Sequence, residues 1–128
     1  MADSSKPIER PLSPHLTIYR PQLTSGTSIL VRITAIALFV LAILPVWWLA
    51  AAATSHSSFA AIDGFLQSWF GSLVMFGATW AIFYHMLGRL RHVIWDLGYC
   101  LDVEVSEKMG LGMLIGATVL TVLVAIIL

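Results

Sequence analysis

Ile33-Thr34-Ala35-Ile36-Ala37-Leu38-Phe39-Val40-Leu41-Ala42-Ile43-Leu44-Pro45-Val46-Trp47-Trp48-Leu49-Ala50-Ala51-Ala52-Ala53 carries no charge from end to end. Wound as an α-helix it rises about 31 Å, enough to cross a bilayer core of roughly 30 Å. Pro45 is its one breaker, and a membrane helix tolerates proline with a kink. Trp47 and Trp48 stand near its far end, where an aromatic belt is expected.

Composition agrees with a membrane setting. The chain has 128 residues, 59% hydrophobic and 11% charged. A soluble domain carries about 25% charged residues, and a body this small has a large surface to cover. The apolar excess must face lipid. Formal net charge is zero, which gives no reason to expect nucleic acid. One cysteine, Cys100, excludes an intrachain disulfide and a Cys-based zinc or iron–sulfur site within this chain. Pro7, Pro11, Pro14 and Pro21, with scattered charges, interrupt the N-terminal segment. No cleavable signal is expected there, and Asp3 and Glu9 argue against a mitochondrial transit peptide.

The expected fold is an all-α membrane protein, with three transmembrane helices preceded by an extended N-terminal arm. Residues 1–27 form the arm, because proline opposes helix at its own position and the one before. Its Leu12, Leu16, Ile18 and Tyr19 suit docking on a partner surface. Residues 28–128 form the membrane domain, with spans at about 29–53, 65–97 and 109–128. Residues 54–64 read as a short polar connection, and Gly98 as the stop of the second span. Gly112 and Gly116 make a small-xxx-small pair that lets another helix approach closely.

Basic residues set the orientation. Lys6, Arg10, Arg20 and Arg32 precede or begin the first span, Arg89, Arg91 and Lys108 lie between the second and third, and residues 54–64 have none. The positive-inside rule puts the N-terminus and residues 89–108 on the cytoplasmic side. Two polar clusters then meet at one mouth: Ser28 and Arg32, four apart on one face, and His85, Arg89, His92 and Asp96 on another.

Ionisable groups at membrane depth usually face protein, a cofactor or water. His85 suits either haem ligation or a structural hydrogen bond to a neighbouring helix, with Ala78, Ala81 and Gly88 as small neighbours for a flat macrocycle. His92 and Arg89 could pair with haem propionates, or serve only topology and snorkelling. Arg91 points away from His85 and reads as a topology anchor. Ser28 and Arg32 could bond a quinone, or act as helix N-cap and membrane anchor. No phosphate loop, nucleophile–base pair or paired intramembrane carboxylates occur, which excludes hydrolase and transferase sites. A small transporter would need polar residues along a path that the third span does not offer.

Arg10-Pro11-Leu12-Ser13-Pro14-His15-Leu16-Thr17-Ile18-Tyr19, Ser28-Ile29-Leu30-Val31-Arg32-Ile33-Thr34 and His85 through Gly98 together resemble one family. It is the cytochrome b556 subunits of succinate dehydrogenase, one of the two membrane anchors of respiratory complex II. The likeness covers nearly the whole chain. It implies that His85 is the axial ligand of haem b, that the second anchor subunit supplies the other ligand, and that His92 and Arg89 lie near the propionates. It also implies that Ser28, Arg32 and Asp96 belong to a ubiquinone site. Flavoprotein and iron–sulfur subunits would oxidise succinate, leaving this chain as a non-catalytic anchor of the enzyme complex in electron transport and the tricarboxylic acid cycle. A bacterial inner membrane is expected rather than a mitochondrial one. The alternative is a haem-free structural or assembly subunit. Two positions depart from the family pattern: Val31 stands where a histidine precedes the arginine, and Arg89 where a glycine precedes the second histidine by three.

Overall fold

In the computed structural model, which describes residues 11, 13, 15 and 17–127, the chain folds as five α-helices. They are α1 (Leu23–Leu41), α2 (Ile43–Thr54), α3 (His56–Gln67), α4 (Trp69–Asp96) and α5 (Val103–Ile127). Three stretches are long and apolar enough to cross a membrane: α1 with α2, α4, and α5. Lys6, Arg10, Leu12 and Leu16 of the expected arm lie outside the described residues.

The first span breaks where proline demands it. Pro45 has no N–H to give the Leu41 carbonyl, and its ring crowds that oxygen. Accordingly α1 ends at Leu41 and α2 begins at Ile43, with a turn at Ala42.

Four boundaries differ from those read in the sequence. The first helix starts at Leu23 rather than 29, because Pro21 is the last proline of the arm and nothing after it resists helix. Residues 54–64 are not a bare connection but most of α3. Ser55 caps it by accepting from Ser58 N–H at 3.2 Å, and Phe59, Ile62 and Leu66 recur at helical spacing on its inner side. The second span starts at Trp69 rather than 65, since Ser68 caps α4 by accepting from Gly71 N–H. The third starts at Val103 rather than 109, extended by a charged turn in which Lys108 pairs with Glu104 at 2.7 Å, an i,i+4 arrangement that favours helix.

The expected stop after α4 is realised in full. Gly98 adopts φ +81°, where a side chain would be strained. Its N–H bonds to the Trp95 carbonyl, and Tyr99 N–H to that of Ile94, closing a Schellman motif.

α1, α4 and α5 form a three-helix bundle whose large apolar side chains face outward. Phe39 is 82% exposed and Ile126 76%, as lipid contact requires. The interior is lined by smaller and more polar residues. Thr27, Val31 and Thr34 come from α1, and Gly110, Met113, Ala117 and Thr121 from α5. The buried threonines bond back to carbonyls of their own helices: Thr34 to Leu30, Thr121 to Ala117. This satisfies each hydroxyl without a partner from lipid. Of the expected pair only Gly116 is close-packed in this bundle, where a Cβ would lie 3.2 Å from Leu87 Cδ1 of α4. Gly112 faces open space, while Gly110 is the glycine pressed on Thr27 and Arg91.

Candidate functional site

The N-terminal half of α1, the C-terminal half of α4 and the start of α5 meet at one end of the bundle. Tyr84 and Arg91 lie seven apart on α4, two turns along one face. Helical side chains lean back toward their own N-terminus, which carries the Arg91 head toward the level of Gly88. Both residues converge on Thr27. The Tyr84 hydroxyl donates to the Thr27 carbonyl at 2.9 Å. Arg91 Nη1 donates to Thr27 Oγ1 at 3.0 Å and Nη2 to Ser28 Oγ at 2.6 Å. The guanidinium stands 4.3 Å above the Trp95 ring, a cation–π contact. Arg91 is 1% exposed. Its Nε has no hydrogen-bond partner among the described residues, and no carboxylate there pairs with it. Gly110 admits this head: a Cβ on it would meet Thr27 at 3.0 Å and Arg91 Nη1 at 3.3 Å.

His85 sits beside this cluster. Its Nδ1 lies 3.1 Å from the Val31 carbonyl oxygen. A carbonyl only accepts, so Nδ1 carries a proton, and in the neutral ring that leaves the lone pair on Nε2. Val31 is three residues past Ser28, which puts the His85 ring about 4.5 Å deeper along α1 than the serine. Gly88 permits the approach of α1. A Cβ there would overlap Val31 Cγ2 and meet Met113 Cε at 3.2 Å. The Val31 side chain thus points into the seam, while its carbonyl serves His85.

The profile of the succinate dehydrogenase/fumarate reductase transmembrane subunit family matches residues 6–125. The chain is 44% identical over 127 residues to the succinate dehydrogenase cytochrome b556 subunit of Paracoccus denitrificans, covering 99% of this chain and 97% of that one. It is 35% identical to the cytochrome b556 subunit of Rickettsia conorii, covering 90% of each. It is 37% identical to the cytochrome b560 subunit of succinate dehydrogenase of Marchantia polymorpha, covering 91% and 88%. The chain belongs to this family.

The remaining residues singled out from the sequence divide into two groups. Ser28 and His85 lie together at the α1–α4 seam, and His92 lies two turns from His85, half-buried. His92 Nδ1 donates to the Gly88 carbonyl at 2.7 Å, and its ring meets Trp95 edge-on. Arg32, Arg89 and Asp96 are exposed and make no side-chain hydrogen bond to another described residue. Ser28 is inside α1, not at its N-cap. Ala81 and Gly88 are buried within the bundle and pack helices rather than present a flat wall beside His85, while Ala78, also buried, lines an apolar cavity beside Pro45 and Trp48.

Arg91 is the residue that sequence reading missed. It is no snorkelling anchor; it is the largest fully buried side chain of the described chain. A signal was present. Ala81, Tyr84, Gly88 and Arg91 recur at spacings of three and four, the stripe of a packed helix face, and Arg91 continues it.

Proposed function

We propose that this chain is the membrane-anchor subunit of a succinate:ubiquinone oxidoreductase, contributing to haem b ligation and to the ubiquinone-reduction site. The observation that carries this reading is the Nδ1 bond of His85 to the Val31 carbonyl. Metal-bound imidazoles commonly donate their other N–H to a backbone carbonyl, which fixes the tautomer and aims the free nitrogen. The donor set fits haem iron, for which a neutral imidazole is an ordinary axial ligand. Haem b, when bound, supplies one-electron redox chemistry.

His85 would hold the haem iron together with a ligand from a second anchor subunit. Arg89 and His92 stand one and two turns toward the water on the same face as His85. Arg89 and His92 would hold the haem propionates by hydrogen bonds, Arg89 with its charge. The Ser28 hydroxyl donates to a carbonyl oxygen of ubiquinone, and Arg32, on the same face of α1, stabilises negative charge developing on the quinone. Asp96, exposed at the end of α4, exchanges protons with water. Two electrons come from the iron–sulfur subunit, itself supplied by the flavoprotein, and two protons from the aqueous side. The N-terminal arm docks on these soluble subunits. The positive-inside rule puts this end on the cytoplasmic side of a bacterial inner membrane.

The same His85 bond would suit a haem-free packing subunit, so the test must read the haem. A reduced-minus-oxidised spectrum of the purified complex is expected to show a b-type signal that His85→Ala abolishes. An unchanged low-spin spectrum and haem content would exclude His85 as ligand. For the quinone site, Arg32→Ala is expected to lower ubiquinone reduction roughly 10- to 100-fold, the range of a hydrogen bond to a charged group. Succinate oxidation with an artificial acceptor should persist. Equal loss of both activities would indicate failed assembly instead.

A further inference from the structure

We propose that Arg91 is a positioning residue for ubiquinone reduction, acting through Ser28. The inference rests on the reading above that Ser28 bonds the quinone, and adds what makes that hydroxyl a donor. An arginine has only donors. Because Arg91 Nη2 points at Ser28 Oγ from 2.6 Å, the serine oxygen must accept, and its own proton must point elsewhere. A serine inside a helix ordinarily turns that proton back onto a carbonyl of the preceding turn. Thr27, the next residue, does so with Leu23 and Thr24. For Ser28 no such bond exists among the described residues, and Arg91 is its one partner there. The hydroxyl proton is therefore unspent, on a half-buried residue at the edge of the seam.

Charge strengthens the effect. Arg91 is 1% exposed, with no paired carboxylate and an unpartnered Nε among the described residues. Its charge is held by two hydroxyl oxygens and the face of Trp95. A buried cation without an anion is a standing electrostatic demand. Polarising Ser28 makes its hydroxyl a stronger donor, and chained hydrogen bonds reinforce one another in this way. The fixed cation nearest the Ser28 hydroxyl is thus Arg91, preorganised before any quinone arrives, whereas Arg32 is exposed and unbonded among the described residues. Preorganised donors of this kind act where charge develops. No proton leaves Arg91. The two protons of the quinol come from water, and the electrons from the iron–sulfur subunit.

The test uses the assembled complex in membranes, with kcat and KM for ubiquinone measured against succinate oxidation by an artificial acceptor in the same preparation. Ser28→Ala is expected to lower kcat/KM for ubiquinone about tenfold. Arg91→Gln should do the same, and the double variant should be no worse than Ser28→Ala alone, since the two act as one unit. Arg91→Lys, which keeps the charge, should recover part of the loss. If Ser28→Ala has no effect, the quinone reading of Ser28 falls. If Ser28→Ala acts but assembled Arg91→Gln does not, or the two losses multiply, that reading stands and the role of Arg91 falls. Should Arg91→Gln fail to assemble, Arg91→Met, which keeps most of the side-chain volume without the charge, decides: a normal kcat/KM for ubiquinone in the assembled variant overturns the inference. Failure of both to assemble makes Arg91 purely structural and overturns it too.

Discussion

The two ends of the bundle are held by different chemistry. At one end, α4 reaches α1 through four side-chain hydrogen bonds, made by Tyr84, His85 and Arg91. At the other, α3 meets α2 and α4 through apolar contacts, such as Trp48 edge-on to Phe59 and Phe65 to Phe70. Those contacts leave a cavity of about 460 Å³ between Leu38, Leu41, Pro45, Trp48, Leu66 and Ala78. In lipid, apolar side chains gain nothing by leaving hydrocarbon for one another, so shape and hydrogen bonds must define helix positions. The polar end has both, and the apolar end has shape alone, interrupted by the proline break. Side chains proposed to work on a cofactor and a substrate therefore sit where the helices are positioned most closely.

The largest expected effect comes from wedging the polar end open. Gly88→Ala puts a methyl group onto Val31 Cγ2 and against Met113. Valine is stiff at χ1, so the neighbour gives way poorly and α1 must move. A loss of about 1–3 kcal/mol is expected, the usual range for overpacking. It should appear as a lower thermal midpoint of the detergent-solubilised complex, with reduced haem content because the Val31 carbonyl moves with α1. Adding Val31→Ala to the same chain should restore both, a coupling that only residues in contact show. Persistence of the defect in the double variant would mean that this contact does not set the seam.

A smaller effect is expected from Tyr84→Phe, which removes one hydroxyl from the same seam. Hydrogen bonds between membrane helices average about 0.6 kcal/mol, with a maximum of about 1.7. The upper half of that range applies here, because the bond is fully buried. Comparing the thermal midpoints of Tyr84→Phe and the parent complex checks this. A shift indistinguishable from zero would show that packing, and not hydrogen bonding, holds the polar end.

What the sequence made legible follows the same division. The three spans were readable because lipid demands uncharged lengths of about 20 residues, and the kink because proline lacks an N–H. Gly98 marked the end of α4. The meeting of Ser28 with His85 followed from the alternation of spans and the placement of basic residues. The helix α3 was hidden by its serines, which cap as readily as they form loops. Its Phe59, Ile62 and Leu66 period is brief enough to pass for scatter. Arg91 was misjudged for a physical reason. Charge near a membrane boundary ordinarily seeks water, and only the convergence of Thr27, Ser28, Trp95 and Gly110 from distant positions makes its burial tolerable. That convergence is tertiary: the spacing of Ala81, Tyr84 and Gly88 along α4 puts Arg91 on the packed face, but not the partners that await it there.

The apolar end allows the opposite experiment. Ala78 lines the cavity, and Ala78→Leu adds three carbons toward it, where Gly88→Ala adds one carbon to the seam. In a water-soluble core, filling such a space would gain transfer free energy as well as contact. In a bilayer the transfer gain vanishes, because the leucine is as well solvated by lipid tails as by protein. What remains is dispersion, about 0.1–0.2 kcal/mol for each well-placed atom pair, set against the side-chain entropy of ordering the leucine, about 0.5–1 kcal/mol. These nearly cancel. Ala78→Leu should therefore leave the thermal midpoint and the b-type spectrum within error of the parent, although it adds more atoms than Gly88→Ala. A fall as large as that of Gly88→Ala would show the far end to be packed as tightly as the near one, and the contrast between the two ends would collapse.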